Sequence, residues 1–333
     1  MAPVVGLIGR LGPGVAVCAA AAVLAAVVHA LVPAVPMLTA AVALGIVVAQ
    51  VPAARPALGG ALSPGLKFSS RTLMRTGIVL LGLKLSLVDI AALGWAAILV
   101  VVGIVLATFA LTWALGRALG LPGREPLLLA AGFSICGASA IGAMAGATRA
   151  KESEQAVPVA LVTLCGTLAI AVLPALQHPL GLSAEQFGHW VGASVHDVGQ
   201  VVATAQVAGA SALAVAVVVK LTRVVMLAPM VAIAAAATRR GGEAVGPRPA
   251  IVPLFVVGFL AAVLVRTWVP LPEGLLTGAD TAQTWLLAAA LFALGTGVRL
   301  RALVTTGWRA LVVALGSWFA IAAMALAAVH ATV

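Results

Sequence analysis

An adjacent histidine and aspartate, His196 and Asp197, stand out in this 333-residue sequence. They lie in the stretch GASVHDVGQVVATA, residues 192–205, which is otherwise typical of a membrane-embedded segment. Of the nine acidic residues, eight fall in or beside connections between apolar runs, whereas Asp197 lies among Val, Ala and Gly. An ionisable side chain at bilayer depth costs at least ~2.5–3.5 kcal/mol, so it is retained mainly where it has a partner or a function. Because histidine titrates near neutral pH, the pair predicts a site for a coupling proton or sodium ion.

A second unusual segment, LLLAAGFSICGASAIGAMAGAT at residues 127–148, is rich in Gly, Ala and Ser. Glycine-rich breaks inside a membrane free backbone N–H and C=O groups, which then need protein or water as partners. A half-helix that begins near Gly137 would point its positive end at the membrane centre, where it could bind an anion. Side chains that could add polar contacts from the two segments are Ser134, Cys136, Ser139, Ser194 and Gln200.

Positive charge inside the apolar run 211–238 comes from Lys220 and Arg223. Their spacing places both on one helical face, so they are candidates for holding an anionic substrate. Asp197 could instead pair with one of them and join two helices, which would not exclude transport. His196 alone could be a packed, hydrogen-bonded histidine, and the small residues could serve close helix packing.

Two other function classes remain open on these residues. An intramembrane enzyme could use Cys136 or Ser139 as a nucleophile with His196 and Asp197, which requires these groups to lie within hydrogen-bond reach. An uncoupled channel or sensor would show ion flux that ignores opposing gradients. No nucleotide-binding motif occurs, which argues against ATP-driven pumping by this chain, and no metal or cofactor motif is predicted.

Composition indicates the elements that must position these residues. The chain is 63% hydrophobic and 8% charged, with a mean hydropathy of +1.20. Apolar runs near 20 residues recur, and a helix needs about that many to cross ~30 Å of hydrocarbon. We therefore predict an all-α polytopic membrane protein, with a single transmembrane domain over residues 1–333 and nine to eleven transmembrane helices. The net charge is +10, and the basic residues lie beside the ends of the predicted spans, as the positive-inside rule requires. This placement does not indicate a nucleic-acid partner.

Charge placement also favours two broken or re-entrant segments, at 127–148 and 190–209. If both spanned the membrane with the N-terminus in the cytoplasm, Arg149 and Lys151 would lie on the wrong side. If both re-enter, these residues lie inside, and the segments enter from opposite faces with one helix between them, an inverted arrangement. A further repeat, 81–103 against 294–316, shares a G-x₁₁-G-W pattern and runs in opposite directions, as inverted halves would.

The motifs FSICGASAIGA (133–143) and SVHDVGQVVATA (194–205), with Lys220-Leu-Thr-Arg223, resemble a family of conserved hypothetical bacterial inner-membrane proteins designated sulfate exporters. The resemblance covers about residues 40–320. That family is similar to a branch of the superfamily of cation/proton antiporters and bile-acid symporters. This implies inverted repeats and crossing broken helices, with Ile135 to Ile141 in one and His196 to Gln200 in the other.

The expected function is a secondary transporter that moves a small anion, such as sulfate, a sulfonate or a small carboxylate, by alternating access. Protons or sodium would be the coupling ion. The expected location is the bacterial inner membrane, in contact with lipid and with a cytoplasmic N-terminus. No enzyme activity is expected, and a homodimer is left open.

Overall fold

The structure is a computed structural model that describes residues 2–33, 35–84, 94–240, 254–298 and 307–332. Its regular secondary structure is helical throughout these ranges, which confirms an all-α polytopic membrane protein. The α-helices are α1 (Ala2–Leu31), α2 (Met37–Gln50), α3 (Arg55–Gly59), α4 (Ser63–Phe68), α5 (Met74–Leu81), α6 (Gly94–Ala118), α7 (Glu125–Ala131), α8 (Ala138–Thr148), α9 (Glu152–Gln177), α10 (Ala184–Ser194), α11 (Val198–Ala205), α12 (Ala210–Val225), α13 (Leu227–Arg240), α14 (Leu254–Trp268), α15 (Glu273–Thr296) and α16 (Trp308–Thr332). Short 3₁₀ helices cover Pro52–Ala54, Gly82–Lys84 and Gln206–Ala208, and π-helical turns cover Ser69–Leu73 and Gly132–Cys136.

Five helices among the described residues are long and apolar enough to cross a membrane, or six if one bent pair is counted. The five are Gly9–Leu31, Trp95–Ala118, Glu154–Gln177, Ala210–Thr238 and Trp308–Ala331, and the pair is Met37–Gln50 with Pro52–Gly59, bent by 90°. This is fewer than the nine to eleven expected, in part because the glycine-rich segments form shorter helices. Shorter apolar helices are Glu125–Cys136, Val198–Ala208 and Leu254–Trp268.

The chain divides into two compact units, Met1–Ile90 with Leu254–Leu300, and Ala91–Pro253 with Arg301–Val333. The single transmembrane domain stays a prediction. So does the repeat of 81–103 in 294–316, since each copy includes residues outside the described ranges.

Close helix packing through glycine organises the first unit. A Cβ added to Gly45 on α2 would meet the carbonyl oxygen of Phe292 on α15, and Gly295 lies against the same stretch of α2. A Cβ on Gly14 of α1 would likewise meet the backbone at Leu62 and Gly65, beside α4. Backbones in membranes approach this closely where residues are small, because van der Waals packing drives helix association there.

In the second unit, the first glycine-rich segment folds back on itself. The backbone N–H groups of Arg124 and Lys151 both donate to the carboxylate of Glu154, at 2.9 and 2.6 Å, so the two ends of the segment lie together. A Cβ on Gly132 would lie 2.9 Å from the Ile141 side chain, which shows that the two arms pack side by side. The reversal occurs at Gly137, whose φ of 70° suits a residue without a side chain. Residues 125–148 therefore form a hairpin, called the first hairpin below.

The second predicted segment, at 190–209, also folds back on itself. Gly188 on α10 packs against the backbone of Ala212 on α12, and Gly192 packs against Ala216, so α10 and α12 run parallel. The intervening α11 must therefore return the chain to the end where α10 began. Residues 184–208 form the second hairpin.

The hairpins enter from opposite ends of the unit, because α9 joins their bases. This helix starts beside the base of the first hairpin and is 26 residues long. Each 11-residue arm, α8 or α10, is about 16 Å long, roughly half of the ~30 Å hydrocarbon thickness. Both segments that were predicted to be broken or re-entrant are interrupted and fold back on themselves, and their re-entry into a membrane stays a prediction. They differ from the crossing broken helices that the resemblance implied, since each returns to its own end of α9.

Candidate functional site

The tips of the two hairpins meet. A Cβ on Gly137 would lie 3.6 Å from Cβ of Asp197 and 3.7 Å from its Cα. Four helix ends converge here: the C-terminal ends of the turn Gly132–Cys136 and of α10, and the N-terminal ends of α8 and α11. Helix C-termini carry partial negative charge and unpaired C=O groups, whereas N-termini carry partial positive charge and unpaired N–H groups.

Two buried cations on α12, Lys220 and Arg223, bind the C-terminal ends of both hairpins. Lys220 Nζ donates to the carbonyl oxygen of Ile135 in the first hairpin, at 2.6 Å, and to that of Val195 in the second, at 2.9 Å. The side chain is fully buried, so these backbone groups replace water around its charge.

Arg223 makes six further contacts with backbone carbonyl oxygens of both hairpins. Every nitrogen of its guanidinium takes part, at 2.8 to 3.3 Å, and the acceptors belong to Phe133, Ser134, Gly192, Ala193 and Val195. Lys220 and Arg223 were predicted to lie deep in the membrane as substrate ligands. Both side chains are buried, and their donors bond to carbonyl oxygens at the helix C-termini, which have no partner within their own helices and carry partial negative charge. Their contact with substrate stays a prediction.

The N-terminus of α11 is capped by its own residues. Asp197 Oδ2 accepts from the Gly199 N–H at 2.8 Å, and Gln200 Oε1 accepts from the Asp197 N–H at 3.2 Å. This reciprocal pair is a capping box. Gln200 Nε2 also donates to the carbonyl of Thr163 on α9 at 3.1 Å, which fixes the second tip against that helix. Gly166 provides the room, because a Cβ there would collide with the Gln200 amide.

The N-terminus of α8 differs, because its N-cap residue is Gly137, which has no side chain that could cap it. Its first residues, Ala138 and Ser139, are exposed, whereas the preceding residues of the same tip are buried. The first turn of α8 therefore offers N–H groups and the Ser139 hydroxyl to an incoming ligand.

His196 is fully buried at the second tip, next to Phe133 of the first. Its Nδ1 lies 3.2 Å from the Phe133 carbonyl oxygen, and the two rings meet edge to face with centroids 4.5 Å apart. Its Nε2 is buried without a hydrogen-bond partner among the residues that the structure describes. A buried nitrogen without a hydrogen-bond partner indicates a functional role, such as binding a ligand or an ion, or taking up and releasing a proton.

The remaining predicted residues are used within the hairpins. The Ser134 hydroxyl donates to the Ala130 carbonyl at 2.7 Å, and Ser194 donates to Trp190 at 2.6 Å. Both hydroxyl hydrogens are thus bonded inside their own helices, although their oxygens can still accept. Cys136 is buried, with 4% of its surface exposed.

Sequence reasoning missed a repeat that relates the two tips. Sixty positions separate three pairs with equivalent placement: Gly132 and Gly192, Ser134 and Ser194, and Ile135 and Val195. Both serines bond four residues back, and the carbonyls of Ile135 and Val195 both accept from Lys220. The signal was a Gly-x-Ser followed by a β-branched residue in each segment. Reasoning from side chains also missed Glu154, which ties the base of the first hairpin.

No group of three or more His, Cys, Asp or Glu side chains able to hold a metal ion occurs within the described ranges.

Fold and site together define a class: a polytopic α-helical membrane protein in which two opposed hairpins meet at buried basic side chains. Its sequence matches the family described as Conserved hypothetical protein 698 over residues 13–314, and the chain belongs to that family. The membership of a conserved hypothetical membrane family, expected from the tip motifs, is thereby confirmed.

Curated relatives support this assignment. A UPF0324 membrane protein of Corynebacterium glutamicum is 44% identical over 267 residues, which are 80% of this chain and 77% of that protein. One of Agrobacterium fabrum is 35% identical over 76% of this chain and 73% of its own length. One of Staphylococcus aureus, strain COL, is 30% identical over 80% and 81%. These names state a membrane protein and give no transported substrate. No solved structure matches.

Proposed function

We propose that this protein is a secondary transporter of a small anion, which binds where the hairpin tips meet. One observation carries the proposal: the tips bring together two basic side chains, Lys220 and Arg223, and a single carboxylate, Asp197, beside a helix N-terminus whose first two residues are exposed. If each of the three groups carries its ordinary charge, the balance is one excess positive charge. A buried site with excess positive charge is stabilised by an anion.

The anion is expected at the first turn of α8, where Ser139 is exposed. The N–H groups of Ala138 and Ser139 and the Ser139 hydroxyl can donate to anion oxygens, whereas those of Ala140 and Ile141 already bond to the Gly137 carbonyl. Arg223 acts from behind this surface through its charge, since its donors are bonded to the hairpin carbonyls. A sulfate, a sulfonate and a small carboxylate share the oxygens that such donors recognise.

This assignment can be tested by flux into proteoliposomes with a panel of these three anions. Ser139→Ala is expected to raise KM for the transported anion, whereas Ser211→Ala, an exposed serine at the start of α12, is expected to leave it unchanged. Absence of flux above protein-free vesicles for the whole panel would refute anion transport. An unchanged KM in Ser139→Ala would show that the anion does not bind at the first turn of α8.

The coupling ion is expected at Asp197 and His196. The carboxylate can take a proton or bind sodium, and the unpartnered His196 Nε2 can take a proton. Asp197→Asn isolates this role, because asparagine caps a helix N-terminus about as well as aspartate. Transport by Asp197→Asn is expected to lose its dependence on the pH or sodium gradient, and Glu185→Gln at the hairpin base serves as the control. If transport by Asp197→Asn keeps its dependence on the pH or sodium gradient, Asp197 does not bind the coupling ion.

The alternative of an intramembrane enzyme receives less support from the geometry. Within the described part of the chain, His196 hydrogen-bonds to the Phe133 carbonyl, and neither Cys136 nor Ser139 is its partner. A nucleophile needs a base in hydrogen-bond contact.

Orientation in the membrane follows from the basic residues of the second unit. One end, at the base of the first hairpin, carries Arg117, Arg124, Arg149, Lys151, Arg239, Arg240 and Arg309. The other end, at the described connection between Gln177 and Ser183, carries no Lys or Arg. Under the positive-inside rule we infer that the basic end faces the cytoplasm of a bacterial inner membrane. The cytoplasmic N-terminus stays a prediction.

A further inference from the structure

A groove separate from the hairpin tips opens at the basic end of the second unit. It has a volume of about 820 Å³, within the ~300–1,000 Å³ typical of small-molecule sites. One wall is the last turns of α6, with Phe109 and Trp113, and the other is α13, with Ile233 and Ala234. The connection that leads into the first hairpin closes one end.

The groove is apolar along its length and basic at that closed end. Arg117 and Arg124 line the end, whereas the walls are formed mainly by aliphatic and aromatic side chains. The Arg117 guanidinium lies over the Trp113 ring, 5.3 Å from its centroid, and makes no hydrogen bond or ion pair with the residues that the structure describes. The nearby Glu154 carboxylate accepts from two backbone N–H groups and interacts electrostatically with Arg124, so Arg117 is the arginine at this end that has no acidic partner among the described residues.

This pattern matches one kind of molecule. The wall formed by α6 belongs to an apolar span, Trp95–Ala118, so it lies at the depth of lipid acyl chains, and Arg117 marks the end of that span. Basic pockets between helices on the cytoplasmic side are suited to acidic lipid headgroups. A soluble anion would gain nothing from the aromatic and aliphatic walls.

We infer that this groove binds an acidic phospholipid, with its phosphate at Arg117 and Arg124 and an acyl chain along α6 and α13. The arginine stacked on Trp113 is held in place for the phosphate. Because the bound headgroup would contact the connection into the first hairpin, the lipid would stabilise the base of that hairpin. This site is independent of the proposed anion site at the tips.

The test is lipid binding to the purified full-length protein by native mass spectrometry in a neutral detergent. The probes are phosphatidylglycerol and phosphatidylcholine with identical acyl chains, so that the two differ in headgroup charge. Arg117→Gln is compared with Arg309→Gln, a matched control: Arg309 is exposed near the same end and lies over a tryptophan, Trp308, at 5.7 Å, but does not line the groove. Ala234→Phe fills the groove and leaves both arginines in place.

The wild type is expected to prefer phosphatidylglycerol. Arg117→Gln should weaken that binding roughly fivefold, the equivalent of ~1 kcal/mol per basic residue at an anionic surface. Ala234→Phe should abolish it, and Arg309→Gln should leave it unchanged. Equal binding of the two lipids, an equal loss in Arg309→Gln, or retained binding in Ala234→Phe would each overturn the proposal, as would displacement of the lipid by inorganic phosphate at low concentration.

Discussion

Replacing Arg223 by methionine tests whether this residue holds the hairpin tips together or binds substrate. Methionine keeps an unbranched, apolar side chain of similar length and removes every donor. Three carbonyls, those of Ser134, Gly192 and Ala193, then lose the side-chain donor that contacts them. Two others keep a second neighbour: Phe133 has the His196 ring and Val195 has Lys220.

The magnitude follows from the three carbonyls. A buried polar group left unsatisfied costs about 1–3 kcal/mol, which predicts a loss of roughly 3–9 kcal/mol in the free energy of unfolding. Folded domains are stable by only about 5–15 kcal/mol, so Arg223→Met should unfold at much lower denaturant concentration than the wild type. Arg223→Lys should fall between them, because it keeps the charge but has lost the planar fork of donors.

The assay is unfolding by sodium dodecyl sulfate in mixed micelles, followed by circular dichroism. Arg309→Met is the control, since that arginine is exposed and its removal should change the midpoint little. If Arg223→Met unfolds at the wild-type midpoint, the reasoning on unsatisfied carbonyls is wrong. If it folds normally but transports with a raised KM, Arg223 binds substrate directly, as predicted from the sequence.

Three more outcomes are expected. The variants Arg124→Cys and Lys151→Cys should react with a membrane-impermeant thiol reagent from one side of the membrane, and Gly181→Cys should react from the other. If the cysteines at positions 124 and 151 are labelled from opposite sides, the first segment spans the membrane. Gly166→Ala should displace Gln200 from the cap of α11 and lower stability by about 1 kcal/mol, whereas Gly142→Ala, where nothing lies within 4 Å of the new Cβ, should be neutral or stabilising in the same thermal unfolding assay. Gly45→Ala should destabilise the contact of α2 with α15 because its Cβ meets the Phe292 carbonyl, and Gly278→Ala, with open space around it, should not; equal melting temperatures for these two would contradict the close packing.

The sequence allowed the class to be predicted, and it indicated residues that the structure brings together at the hairpin tips. Asp197 and His196 drew attention because charge is expensive in a membrane, and Gly137 because it interrupts an apolar run; both lie at hairpin tips. Arg149 and Lys151 favoured re-entry through the positive-inside rule, and the shared Glu154 carboxylate agrees with that prediction.

The bonding of Lys220 and Arg223 could not be predicted in the same way. Their partners are backbone carbonyls, which every residue has, so no residue type in the sequence marks them. The sequence could show that two cations lie deep in the chain, and a substrate anion was the natural partner to expect. The unequal N-termini of α8 and α11 were equally hidden, because capping depends on where a helix begins.

The position of Lys220 and Arg223 on α12 has a mechanical consequence. Since the two side chains bond both tips at once, separating the tips would strip donors from one set of carbonyls and leave charge facing hydrocarbon. If the protein transports by alternating access as proposed, we expect the hairpins and α12 to move as one rigid block. Spin labels at positions 149 and 181, one at each base, should then keep the same separation with and without substrate.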